Sequence, residues 1–210
     1  MKQLSTLLAA LCFSTLGSIS TLQAAEPKTA EAVAQADLEQ RMEWFNNDRF
    51  GMFIHWGTYS ILGGVYEGKN ISGYAEWIQS SASIPTEKYA TLAKSFDPTQ
   101  YNPEQWVLAA KKAGMKYVVI TTKHHDGFCL WPSDVTTYDI DDASPFKRDI
   151  LAELSAACKK HGIKFGTYYS IIDWHHPSQE ISDADKARKS WGRPNMKPGH
   201  KKEYVDYMKA

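Results

Sequence analysis

Apolar residues gather in three short, nearly unbroken runs: Phe50 to Trp56 (FGMFIHW), Lys116 to Thr121 (KYVVIT) and Ile163 to Tyr169 (IKFGTYY). Continuous runs such as Val118-Val119-Ile120 suit strands covered on both faces, as in a parallel sheet. Between these runs the apolar spacing becomes helical. Asn102 is a candidate N-cap, with Pro103 in the first helical position and Glu104 and Gln105 in the first turn. Trp106, Leu108, Ala109, Ala110 and Ala113 carry this helix to a stop at Gly114. A second helix is predicted from about Lys147 to His161, with Ile150, Leu151, Leu154, Ala157 and Cys158 on one stripe and a stop at Gly162.

The two helix-to-strand junctions resemble each other: KKAGMKY from Lys111 and KKHGIKF from Lys159, their glycines 48 residues apart. Such an internal repeat predicts an α/β fold, either a (β/α)8 TIM-barrel-like domain or a doubly wound sheet. No glycine-rich phosphate loop follows any of the strands, which favours the barrel. A complete barrel typically takes about 250 residues. The chain has 210, with three strands and a possible fourth near Ile61 to Tyr66. From His200 the pattern HKKEYVDYMKA puts Tyr204, Val205 and Met208 on one helical face and stops at Ala210 without a cap or glycine. Residues 38–210 are therefore expected to be the N-terminal portion of a larger barrel.

Residues 1–25 change the picture at the other end. Lys2 forms a short positive region, Leu7 to Leu16 an apolar stretch, and Ala24 and Ala25 a small-residue cleavage site. This is the layout of a secretory signal peptide, and its apolar run is too short for a membrane anchor. Cys12 follows Leu11, where a lipid-attachment signal wants a small residue. The expectation is an exported protein, periplasmic or extracellular, with no membrane insertion once the leader is removed. Residues 26–37 read as a polar lead-in to the first structured element. The leader takes Cys12 with it, leaving Cys129 and Cys158, which the pattern does not bring together and which are expected as separate thiols.

Charge and composition narrow the partners. There are 24 basic and 24 acidic side chains, a balance that argues against a nucleic-acid partner. Seven Trp, eleven Tyr and eight Phe exclude a disordered chain and fit either a packed core or a sugar-binding cleft.

In a parallel barrel the active site lies at the C-terminal ends of the strands. Here those ends read His55-Trp56-Gly57, then Lys123 to Phe128 (KHHDGF), then Tyr168-Tyr169-Ser170 followed by Asp173-Trp174-His175-His176. Imidazole, phenol and indole suit a polyhydroxylated ligand, giving directional hydrogen bonds and an apolar face for C–H groups. A metal site is the competing reading, since His is a common ligand. Against it, His124 and His125 would point to opposite faces of a regular strand unless the strand end bends. No H-x-H or H-E-x-x-H spacing is present.

The segments RFGMFIHWGTYS, GYAEWIQSSASIPTEKYATLAKSFDPTQYNPEQW, AGMKYVVITTKHHDGFCLWPS and HGIKFGTYYSIIDWHHP closely resemble the N-terminal half of the catalytic domain of α-L-fucosidases of glycoside hydrolase family 29. The resemblance covers about Leu38 to Pro177. It implies a (β/α)8-like catalytic domain, a C-terminal β-sandwich, and metal-free, cofactor-free retaining hydrolysis of terminal α-L-fucosides, with a fucosylated glycan as the partner. By similarity His55, Glu76, His124, His125 and Tyr168 would hold the fucose hydroxyls, with Trp77 beside them. Trp56 would pack, Asp126 would orient its loop, and Tyr169 would point away from the site. The family's nucleophile, an Asp on the next strand, and its acid/base are expected beyond residue 210. The resemblance implies binding or structural roles for Glu76, Asp126 and Asp173, so no catalytic carboxylate is expected within this chain. Two alternatives stand beside the exported fucosidase: a non-catalytic fucose-binding remnant and a metal-dependent barrel hydrolase.

Overall fold

A computed structural model describes residues 30–179 and 200–210. Residues 1–29, the expected leader among them, and residues 180–199 lie outside the described residues. In chain order the helices and strands are α1 (Ala30–Asn47), β1 (Gly51–Ile54), α2 (Tyr59–Leu62), β2 (Val65–Tyr66), β3 (Lys69–Asn70), α3 (Ile78–Ser81), α4 (Thr86–Ala90), α5 (Pro103–Lys112), β4 (Tyr117–Lys123), α6 (Ile150–His161), β5 (Lys164–Tyr169) and α7 (His200–Lys209).

The chain divides into two units, Met1–Glu43 and Trp44–Ala210. The described part of the first is the N-terminal stretch of α1, laced by a Gln35–Glu39 hydrogen bond of 2.9 Å and an Arg41–Asp37 ion pair of 3.3 Å. Residues 30–37, expected as a lead-in before the first element, are helical. Their alanines, Glu31 and Gln35 have high helix propensity, and a weak apolar pattern did not advertise the helix.

In the second unit β1, β4 and β5 form a parallel sheet in the order β1-β4-β5. Met52, Val118 and Phe165 stand in register, as do Ile54 and Ile120. These residues pack in one core with Val107 and Ala110 of α5 and Ile150, Leu154, Ala157 and Cys158 of α6. Each fully buried Leu, Ile or Val contributes about 1.5–3 kcal/mol relative to exposure. Strand, helix, strand, helix, strand with one helix layer over a parallel sheet is the repeat from which a (β/α)8 barrel is assembled. Phe53, Val119 and Gly166 are in register on the other face, and Phe53 is 52% exposed there.

The Asn102 cap matches the sequence pattern, whereas the Asp149 cap was not read from it. Asn102 Oδ1 accepts the Gln105 N–H at 3.1 Å, and Asp149 Oδ1 accepts that of Ala152 at 2.8 Å. The second helix starts at Ile150 rather than Lys147, because Asp149 is the cap and Lys147 has a positive φ of 53°. α7 turns Tyr204 inward, and its hydroxyl donates to the Ile171 carbonyl at 2.7 Å.

The expected fourth strand near Ile61 to Tyr66 is not a barrel strand. Gly63 and Gly64 take φ of 54° and 82° and break the extended run. The residues before them form α2, and those after pair only as the two-residue antiparallel ribbon β2–β3. This excursion is held by Tyr59, Ile78, Ile84 and Tyr89, a small core of its own. It carries the turn Ala75–Trp77 to the end of the sheet. Cys129 and Cys158 are free and buried.

Candidate functional site

The strand ends diverge from regular pairing where the chemistry begins. β1 stops at Ile54, two residues before the sequence pattern suggested, because the Trp56 N–H turns to Thr121 Oγ1 at 3.1 Å and not to a neighbouring backbone carbonyl. β4 runs on to Lys123, and its register against β5 slips between Thr121 and Lys123. The chain then turns at His125-Asp126, with the Gly127 N–H donating to the His124 carbonyl at 3.1 Å. That bend resolves the alternation problem. The rings of His124 and His125 lie 4.3 Å apart, edge to face.

Around this pair the structure gathers the other expected residues. One donor atom from each of His55, Glu76 and His124 falls within 4.8 Å of the others. The His55 and His124 rings are 5.9 Å apart, and Tyr168 stacks on His124 at 5.7 Å and lies 6.3 Å from His55. Trp77 meets His125 edge to face at 4.8 Å. His55, Glu76, Trp77, His124, His125 and Tyr168 thus converge on one end of the sheet, four from strand ends and two from the excursion. His55 is exposed, Glu76 half-buried and His124 buried.

Three residues in this cluster carried no assignment from the sequence. Phe53 lies 4.4 Å from His55 and 5.8 Å from Tyr168. Its position two residues before His55 on the same strand was the available signal, since i and i+2 share a face. Tyr59 packs edge-on to His124 at 5.9 Å, its hydroxyl 3.1 Å from Thr121 Oγ1. Trp174 lies 5.1 Å from His125 and 5.4 Å from Trp77, a contact across loops that no local pattern encodes.

Trp56 packs, as expected, against Phe96, Tyr101 and Trp106. Tyr169 lies away from Tyr168, its ring 4.5 Å from the Lys123 ammonium. Asp126 anchors its loop. Its carboxylate accepts from Thr58 Oγ1 at 2.7 Å, the Tyr89 hydroxyl at 3.2 Å and the Phe128 N–H at 3.3 Å. Gly127 beside it has a φ of 83°, and a Cβ there would meet Asp173 Oδ1 at 2.6 Å. His175 and His176 take other partners: His175 stacks on Tyr138 at 4.1 Å, and His176 pairs with Ser178 Oγ at 2.7 Å.

A buried ion pair ties the two strand ends together. Lys123 Nζ donates to Asp173 Oδ2 and to the Ser170 carbonyl, each at 3.0 Å. Asp173 Oδ1 accepts the backbone N–H groups of His175 and His176 at 2.9 and 2.8 Å. The Ser170 hydroxyl hydrogen-bonds His125 Nδ1, and the Trp174 N–H donates to the His125 carbonyl at 2.6 Å.

Burial, then the charges of His125, His55 and Lys123, push His124 down to about 3. His125 is also held below its ordinary value, chiefly by burial. Neutral imidazoles offer one donor and one acceptor each, the complement of a hydroxyl group. Burial pushes the Asp126 carboxyl up, against the hydrogen bonds it accepts.

The α-L-fucosidase family model matches residues 17–209. The tissue α-L-fucosidase of Rattus norvegicus is 37% identical over 142 residues, covering 64% of this chain and 30% of that protein. The tissue α-L-fucosidase of Homo sapiens is 34% identical over 172 residues, covering 77% and 36%. The matched part thus spans about a third of these relatives. Among solved structures, the α-L-fucosidase AlfC of Lactobacillus casei in complex with its α-L-fucose product aligns with a TM-score of 0.64 at 50% identity, covering 66% of this chain and 43% of that one. A family 29 α-L-fucosidase of Bacteroides thetaiotaomicron, trapped as a covalent intermediate, aligns with a TM-score of 0.69 at 37% identity, covering 81% and 37%. The chain belongs to the α-L-fucosidase family, glycoside hydrolase family 29, and its three parallel strands are part of that family's TIM-barrel catalytic domain.

Proposed function

We propose that this chain provides the fucose-binding part of an exported, retaining α-L-fucosidase acting on terminal α-L-fucosides of oligosaccharides or glycoconjugates. The observation that carries this reading is the convergence of His55, Glu76, His124, His125 and Tyr168 beside Trp77 at the ends of parallel strands. Imidazole, phenol and carboxylate would bind the sugar hydroxyls, and the indole would cover an apolar edge of the ring. Export rests on the layout of residues 1–25.

Retaining hydrolysis needs two carboxyl groups about 5–5.5 Å apart, one as nucleophile and one as acid/base. Asp126 is bound up with Thr58, Tyr89 and Phe128, and Asp173 with Lys123 and two backbone N–H groups. Glu76 is left as the one carboxylate of the three beside the histidines. The family resemblance gives Glu76 a binding role, so the nucleophile and acid/base are expected from outside the described residues.

An aryl α-L-fucoside is the test substrate for the full gene product. His124→Ala and His125→Ala should each raise KM and lower kcat, and unchanged kinetics in both would remove the assigned site. Activity should survive exhaustive chelation, which separates this reading from a metal-dependent hydrolase. The commitment of Asp126 and Asp173 also favours a second reading, a fucose-binding chain without turnover. It would bind L-fucose saturably in calorimetry while the gene product releases no aglycone.

A further inference from the structure

The His55, Glu76 and His124 donors form a compact three-residue group. Their three ligand atoms lie within 4.8 Å of one another. A tetrahedral zinc ion with bonds of about 2.0–2.2 Å holds its donors about 3.3 Å apart. The remaining closure falls on His55, which is exposed, and Glu76, which is half-buried, while His124 is buried and held in place. Its ring is clamped between Tyr168 and the edge of Tyr59, and its buried Nδ1 has no hydrogen-bond partner among the described residues. Two imidazoles and one carboxylate form a borderline donor set. It suits Zn2+ and its transition-metal neighbours and does not suit Mg2+ or Ca2+, which require mainly oxygen ligands.

We infer that His55, Glu76 and His124 form a three-ligand site for a divalent transition-metal ion such as Zn2+, and that metal and sugar occupy it in turn. Three protein ligands leave a fourth position open to water. A metal there takes the same lone pairs and ring edges that the sugar hydroxyls would use, so the ion acts as a reversible inhibitor. No bond in the protein is made or broken, and each ion displaces only water and any proton on its ligands. The competition, but not the metal binding, rests on the fucose-site reading above.

The test is isothermal titration calorimetry of the chain with ZnCl2, with MgCl2 as the control, in the absence and presence of saturating L-fucose. The expected result is one Zn2+ per chain, no heat with Mg2+, at least a tenfold loss of affinity in His55→Ala and in Glu76→Gln, and weaker Zn2+ binding when fucose is present. His55 is exposed and Glu76 half-buried, so both variants should keep the wild-type circular dichroism spectrum. Absence of Zn2+ binding, or binding unchanged in both variants, overturns the metal site. Zn2+ binding lost in both variants, but with no fucose bound and no competition, keeps the metal site and overturns the fucose reading. Fucose and Zn2+ bound together without competition overturns the mutual exclusion.

Discussion

Removing half of the Lys123–Asp173 pair should cost far more than removing both halves. The two side chains are 0% and 1% exposed and 3.0 Å apart. At an effective dielectric constant of about 20 their attraction is roughly 5 kcal/mol, and desolvating each ion costs several kcal/mol. The pair as a whole is therefore close to neutral, whereas a lone buried charge keeps the desolvation cost and loses the attraction. Asp173→Asn isolates the charge, because the amide oxygen can still accept the N–H groups of His175 and His176. It should destabilise the protein by about 3–5 kcal/mol. Lys123→Met keeps the aliphatic volume and should cost a similar amount. The double variant should lie within about 1–2 kcal/mol of the wild type, giving a large coupling energy. Urea unfolding followed by tryptophan fluorescence at pH 7 measures all four corners of this cycle. A loss below about 1 kcal/mol in Asp173→Asn, or strict additivity in the double variant, would refute the reasoning.

The same loops support further tests. Gly127→Ala should lose at least about 2 kcal/mol in urea unfolding, since φ is 83° and the new Cβ meets Asp173 Oδ1, which the His175 and His176 N–H groups hold in place; a shift under about 0.5 kcal/mol, the scale of surface substitutions, would contradict it. His124 is held near 3 in the folded state against 6.5 ordinarily, so its contribution is complete above about pH 6.5 and is lost as pH falls towards 3. The stability gap between wild type and His124→Asn should therefore narrow on acidification by up to about 1.4 kcal/mol per pH unit, and a gap unchanged between pH 7 and 4.5 would contradict the assignment. Asn102→Ala, which removes the cap on Gln105, should cost about 1 kcal/mol and leave sugar binding unaltered; weakened L-fucose binding in calorimetry would count against its purely structural role.

Much of the second unit was legible in the chain. The three strands, the Asn102 cap and the glycine stops follow from local periodicity and side-chain chemistry, which act over a few residues and need no knowledge of the fold. His55, His124, His125 and Tyr168 were marked by their place at strand ends, while Glu76 and Trp77 were marked only by family resemblance. The sequence also exposed its own difficulty at His124-His125, where strand alternation forbids a shared site.

Tertiary structure decided the rest, because it depends on contacts between residues far apart in the chain. The bend after Lys123 is fixed by Asp126, whose partners Thr58 and Tyr89 lie in the excursion after β1. The fourth strand failed because that excursion buries Tyr59 and Tyr89 in a core of its own, which a local apolar run cannot reveal. The brace of Lys123 to Asp173 spans 50 residues, and Trp174 reaches Trp77 across nearly twice that distance in sequence. Periodicity places a side chain on a face, and only the fold determines which distant faces meet and which charged groups can be buried together.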